Sequence, residues 1–506
     1  MKWYKFWAKS EERDADKKDA KRSIDTEALD MDFFCQLTYM AAIATSGISR
    51  SGLFDHAAAL PYVSARYFKR VNFVAKAFNH DYSEACNIVG QATKELEVKA
   101  LLLRLSGALS SGEDIATFLE RESQVFSESY GGRYEGRLEI LRKWTDAYVA
   151  LIMTSAIVTV MAVVTLMIGN ITLGFMVALS VLTIVVTIAG TWLIYRTAPR
   201  ETKTHSLPYR SKEQNLARSV AKLTLPVGGI TVLSLLVMRV DFGWVMLVAS
   251  LFLFPLGLIS KIDDSKIDKR DSDIAGFFRS LGGVSQAIGA TINEAMGRLD
   301  FRSMGRLKDD VNLLYKRLLA GIDRTPCWDT FVGDTGSEQV NPSVRIFWDG
   351  VTLGGEPEKV GNDASDFAMK IALLREKRQL IASGFLWLAM AMHVILAVLL
   401  VFIYQTLLTF TGLIQSIAPE GDNVQAMANL PSFGIFSGSS MELNLMYFMV
   451  TVIVIVLALA NAFAVYATSG GHIYKFSYYL AMTTGISGAA ILFVPPVVDM
   501  MFTGMA

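Results

Sequence analysis

Side chains that could do chemistry are few in this chain and lie far apart. Its five histidines, His56, His80, His205, His393 and His472, are scattered without metal-ligand spacing. Cys35, Cys86 and Cys327 form no CxxC or Cys/His pattern and read as reduced structural thiols. No glycine opens a GxxxxGK[ST] phosphate cradle, and the nearest stretch, Gly283 to Thr291, lacks the lysine. Glu120-Arg121-Glu122 and Asp309-Asp310 read as solvated helix faces. The expectation is a non-enzyme with no cofactor, no metal and no catalytic group.

Two other patterns invite a role in contact rather than catalysis. Met296-Gly297-Arg298-Leu299 is echoed eight residues later by Met304-Gly305-Arg306-Leu307. On a helix, Arg298, Arg302 and Arg306 would stack at four-residue spacing, with Lys308 close by. Gly297 and Gly305 each weaken a helix by up to about 1 kcal/mol relative to Ala, so a turn-rich connection carrying the same arginines is the alternative. Such a basic tip suits an acidic protein surface, and its bland counterpart is a solvated face without a partner. Ala481, Gly485 and Ala489 also repeat at four-residue spacing, where small side chains let another helix approach closely or simply face lipid.

The elements that must position these residues are dominated by the membrane. The 506 residues are 52% hydrophobic with a mean hydropathy of +0.36, so the chain reads as an all-α membrane protein with sizeable soluble segments. Apolar runs at Val149 to Ile168, Leu173 to Tyr195, Leu223 to Met238, Gly243 to Ser260, Ile381 to Phe410, Leu445 to Ala467 and Phe476 to Phe502 give about seven spans, grouped four and three. The third is the weakest, because Pro226, Gly228 and Gly229 interrupt it. Loop charges set a topology: Arg196, Arg200, Lys203, Arg210, Lys212, Arg218 and Lys222 mark an inside loop, whereas 411–444 carries Glu420, Asp422 and Glu442 with no Lys or Arg. The N-terminus is then cytoplasmic and the C-terminus extracellular. Ionisable side chains well inside the spans are limited to His393 and Asp499, which weighs against a transport path.

The chain divides into a charged tail at 1–30, a cytoplasmic helical segment at 31–148, four spans at 149–260, a second cytoplasmic helical segment at 261–380 and three spans at 381–506. Met1 to Trp7 interleaves aromatic and basic residues, a pattern that suits either a headgroup boundary or a free tail. Within the first soluble segment, helices are expected from Asp32 to Ala44, from Leu53 to Ala77 with a break near Pro61, and from Lys94 to Leu109, followed by a polar loop at Ser127 to Gly132. Phe33-Phe34 and Leu37 recur as Phe277-Phe278 and Leu281, and Phe118 before Ser123 recurs as Phe331 before Ser337. The two segments therefore read as similar helical-bundle domains, each running into a span. With 48 basic and 48 acidic residues, no basic excess marks a nucleic-acid partner.

A twice-repeated cytoplasmic helical domain leading into spans resembles the type II secretion system F family. Its carriers here are Phe33-Phe34 with Ser46-Gly47-Ile48, then Leu105 to Gly112 with Phe118-Leu119, and in the second copy Phe277-Phe278 with Ala290-Thr291-Ile292, Leu319-Ala320-Gly321 and Phe331-Val332. Four spans between copies make it more similar to archaeal members, among them archaellum and type IV pilus platforms. The resemblance implies a multi-pass plasma-membrane platform that works with a cytoplasmic hexameric secretion ATPase, pilin-like filament subunits and membrane lipid, and with a homodimer as an open arrangement. On this reading Arg298, Arg302, Arg306 and Lys308 would meet the ATPase. The alternative is a multispan transporter or channel with regulatory cytoplasmic domains.

Overall fold

The computed structural model describes residues 26–168, 173–205, 207–289, 291–417 and 440–503. The described chain is all-helical: α1 (Thr26–Ala44), α2 (Arg50–Ala59), α3 (Ala65–Phe78), α4 (Tyr82–Ala92), α5 (Leu96–Ser111), α6 (Ile115–Ile168), α7 (Leu173–Thr197), α8 (Lys212–Val237), α9 (Phe242–Ile288), α10 (Ile292–Gly297), α11 (Lys308–Leu319), α12 (Arg324–Thr335), α13 (Val340–Thr352), α14 (Pro357–Ile417), α15 (Ser440–Ser469) and α16 (Lys475–Thr503). Six of them are long and apolar enough to cross a membrane, within Val177–Thr197, Lys212–Val237, Phe242–Ile288, Pro357–Thr409, Asn444–Ser469 and Lys475–Phe502. The protein is a multi-pass membrane protein. The first expected span, Val149 to Ile168, is the helical end of α6, and most of its later side chains lie outside the described residues. Pro226 does not break α8, which runs through it.

Two compact units divide the chain: Met1–Glu135, Pro199–Arg210 and Lys266–Leu374 form one, while Gly136–Ala198, Ser211–Ser265 and Arg375–Ala506 form the other. Helices α6, α9 and α14 contribute residues to both.

The first unit is held by aromatic side chains. Phe33 meets Phe126 edge-on with centroids 4.9 Å apart, and Phe34 packs against both Tyr130 and Phe367. Phe277 lies between Trp328 and Phe331, and Phe278 packs on Phe347. Burying one such ring contributes about 1.5–3 kcal/mol. Tyr39 donates to Asp349 at 3.0 Å, so residues of both soluble segments share this unit. The expected loop at Ser127 to Gly132 is instead uninterrupted helix. Phe126, Tyr130 and Tyr134 recur at four-residue spacing and are all buried, and this aromatic stripe outweighs the helix cost of Gly131 and Gly132.

After α1, Gly47 has positive φ and Ser49 N-caps α2, accepting from the Gly52 N–H; after α9, Gly289 has positive φ and Thr291 stands at the N-cap of α10 without a side-chain cap bond.

The second unit is held by close approach. Gly243, Ser250 and Gly257 recur at seven-residue spacing along α9 and face α16. A side chain at Gly257 would collide with the Tyr478 backbone, and one at Gly243 would lie 2.6 Å from Leu492. Ser250 donates to the Ala481 carbonyl at 2.7 Å. Without a side chain in the way, helix backbones gain dispersion contacts that apolar burial does not supply inside a bilayer.

Candidate functional site

The basic connection lies between α10 and α11. It is the turn-rich alternative: α10 ends at Gly297 and Phe301–Leu307 forms a tight 3-10 turn, so no continuous helix stacks the arginines. Gly305 has φ 51°, and a side chain there would strike the Asp273 carboxylate, which accepts from the Arg306 N–H at 2.7 Å. Leu299, Met304 and Leu307 are buried, and Phe301 stacks on Tyr315. These apolar residues pin the connection while Arg298, Arg302, Arg306 and Lys308 remain exposed. None of the four side chains forms an ion pair among the described residues, so their charge is available to a partner.

On α16, Ala481 is buried beneath Ser250, and a side chain added at Gly485 would lie 2.8 Å from the Ser250 hydroxyl oxygen. Ala489 is half-buried, and the neighbouring Gly488 sits against the Gly243 carbonyl.

His393 and Asp499, the two intramembrane ionisable residues singled out in the sequence, both have partners. Gln405 and Thr409 donate to Asp499 at 2.9 and 3.1 Å. His393 is fully buried, with Nε2 at 3.0 Å from both the Thr483 carbonyl and the Ser487 hydroxyl. Its Nδ1 lies 3.1 Å from the Asn461 amide nitrogen, and Tyr148 donates to Asn461 Oδ1 at 2.7 Å. Because the Asn461 amide donates to Nδ1, Nε2 carries the proton and donates to Thr483. Neutral histidine thus satisfies every atom of a string running through α6, α15, α14 and α16. Gly190 gives Tyr148 room, since a side chain there would fall 2.6 Å from its ring.

A second cluster, which sequence reasoning missed, gathers buried charge around the turn from α15 to α16. Lys475 and Asp264 pair at 2.6 Å, and Arg378 donates to the carbonyls of Thr468 and Ala467 at 2.9 and 3.1 Å. Those carbonyls end α15, so the guanidinium caps the negative end of a helix. Gly470 and Gly471 turn the chain with positive φ in the space these groups leave. No sequence signal joins Asp264 to Lys475 across 211 residues. Among the described residues no group of His, Cys, Asp and Glu could hold a metal ion.

The class defined by these features is an all-helical, multi-pass membrane protein in which His393 and Asp499 are held by neighbouring helices. Among characterised proteins, the chain is similar to Flagella accessory protein J of Methanocaldococcus jannaschii, at 24% identity over 329 residues, which cover 62% of this chain and 58% of that relative. It is also similar to Flagella accessory protein J of Methanococcus voltae, at 21% identity over 329 residues, covering 61% and 58%. The chain thus matches less than two thirds of the length of these curated relatives. No family model matches it. No solved structure matches it either.

Proposed function

We propose that this chain is the integral membrane platform of an archaeal type IV filament, an archaellum, a pilus or a related secretion machine, coupling a cytoplasmic hexameric ATPase to the assembly of pilin-like subunits. The observation that carries this reading is the similarity to two proteins named for flagella over most of this chain. The multi-pass helical architecture is consistent with it. In this reading the platform is not an enzyme, and hydrolysis belongs to its partner. Val149 to Ile168 supplies the seventh span, the N-terminus is cytoplasmic and the C-terminus extracellular, as the loop charges favour. The two soluble segments are duplicated bundles, a view supported by their matching Gly-to-N-cap turns and buried Phe pairs. The close approach of α9 and α16 at Ser250 supports a packing role for the small residues of α16.

Arg298, Arg302, Arg306 and Lys308 form the ATPase contact. They are exposed and free of internal ion pairs, and a fixed basic surface accelerates docking to an acidic one. Reversing the three arginines to Glu should abolish ATPase co-purification and filament assembly while membrane insertion stays intact. Co-purification with unchanged salt sensitivity would move the contact elsewhere.

A further inference from the structure

The chain joining α7 to α8 is strapped onto the first unit rather than left as a bare connection. Thr204 pairs antiparallel with Ser337, and the Glu338 N–H donates to the Lys203 carbonyl at 3.0 Å. Lys203 holds Asp268 of α9 at 2.5 Å, and Tyr134 of α6 donates to Glu201 at 3.2 Å. Tyr209 covers Gly333, where a side chain would clash with it. The strap therefore touches α6, α9 and α12 and the chain that follows α12.

At its centre, His205 is 9% exposed, with Nε2 at 3.3 Å from the Gly333 carbonyl. Its Nδ1 is buried and has no hydrogen-bond partner. A neutral ring that donates from Nε2 fits this place, whereas a proton on Nδ1 would bury a charge and a donor that nothing accepts. The charged groups around the ring are committed elsewhere or make no bond to it. On the strap these are Arg200, Glu201, Lys203 and Arg210. On the elements the strap touches they are Asp268, which is held by Lys203, Asp334, which is paired with Arg317 at 2.6 Å, Arg270, which donates to the Thr335 carbonyl at 3.1 Å, and Asp329 and Glu338. Burial accordingly holds the imidazole below its ordinary range, opposed only by the Gly333 carbonyl.

We propose that Pro199–Arg210, the connection from α7 to α8, is a pH-released strap: neutral His205 closes it over α12, and protonation at Nδ1 frees it. Closure binds fewer protons than release. It is therefore complete above the ordinary histidine value near 6.5 and is lost as pH falls below it.

The test uses the full-length protein in membranes. Ser337→Cys beneath the strap is labelled with a maleimide, and its rate is divided by that of an exposed reference, Ser110→Cys, to remove the thiol's own pH dependence. The normalised rate should be low at pH 7.5 and rise about tenfold at pH 5.5, one unit below the ordinary value. His205→Gln, whose amide can still donate to Gly333, should keep the protection and lose the pH response, and His205→Lys should be unprotected at both pH values. A normalised rate that does not change with pH, or a pH response that survives in His205→Gln, overturns the proposal. Neither readout depends on filament assembly, so the strap and the platform reading fail separately.

Discussion

Arg104 and Glu122 in the first unit pair at 2.6 Å, and so do Lys475 and Asp264 in the second. The arginine side chain is 52% exposed, whereas the lysine and aspartate side chains are 2% and 5% exposed. At equal distance these are different interactions. Water screens the first pair, which contributes about 0.2–1 kcal/mol. The second is shielded from water, and removing either partner alone takes the nearest counter-charge from a buried ion. The contrast extends beyond ions. Rings such as Phe278 and Trp328 fill the first unit, while backbone approach at Gly243, Ser250 and Gly257 fills the second. Water drives apolar surface together in one, and contact and satisfied hydrogen bonds do so in the other.

Breaking the buried pair gives the largest expected effect. Lys475→Met should lower stability by about 3–5 kcal/mol in a detergent thermal-unfolding measurement, and Lys475→Met with Asp264→Leu should recover most of it. If the double variant is as unstable as the single one, the pair holds the turn for a reason other than charge. Next comes helix approach: Gly485→Leu would press on Ser250 and should cost about 1–3 kcal/mol. Gly384→Leu, where nothing lies within 4 Å, should cost nearly nothing. Equal losses at both sites would show that contact with Ser250 does not set the cost, since Leu is the better helix former at either position.

The last effect is expected in the first unit and is read as a slope against pH rather than as a single loss. Burial, aided by the nearby Glu120 carboxylate and opposed by Lys359, pushes Asp363 up to about 7. Its folded form therefore holds a proton that the unfolded chain has released. The associated stability is present below the ordinary aspartate value near 3.9 and is lost as pH rises through about 7. Asp363→Asn should flatten the decline in unfolding midpoint between pH 5 and pH 8, and an unchanged slope would assign it to another group.

Much of the fold was legible because membrane helices announce themselves by length and composition. The break near Pro61 was legible too, falling between α2 and α3. Ser127 to Gly132 was misread because its glycines and serines look like a loop, while the stripe of Phe126, Tyr130 and Tyr134 that keeps it helical becomes visible only at helical spacing. Four-residue spacing drew attention to Gly485, but the seven-residue spacing of Gly243, Ser250 and Gly257 was equally present in the sequence. The basic residues at 298–308 were found by type and echo, and the left-handed Gly305 decided their backbone. Asp264 with Lys475, and His393 with Asn461, could not be read, because pairing between distant segments is a property of the folded bundle.

The string through His393 has one remaining consequence. Tyr148 gives its proton toward Asn461, Asn461 toward His393, and His393 toward Thr483, all in one direction. Turning Asn461 around would set its carbonyl oxygen against the Nδ1 lone pair, and each bond polarises the next. Losing one bond weakens its neighbours, so the string ties four helices into one unit rather than into separate pairs.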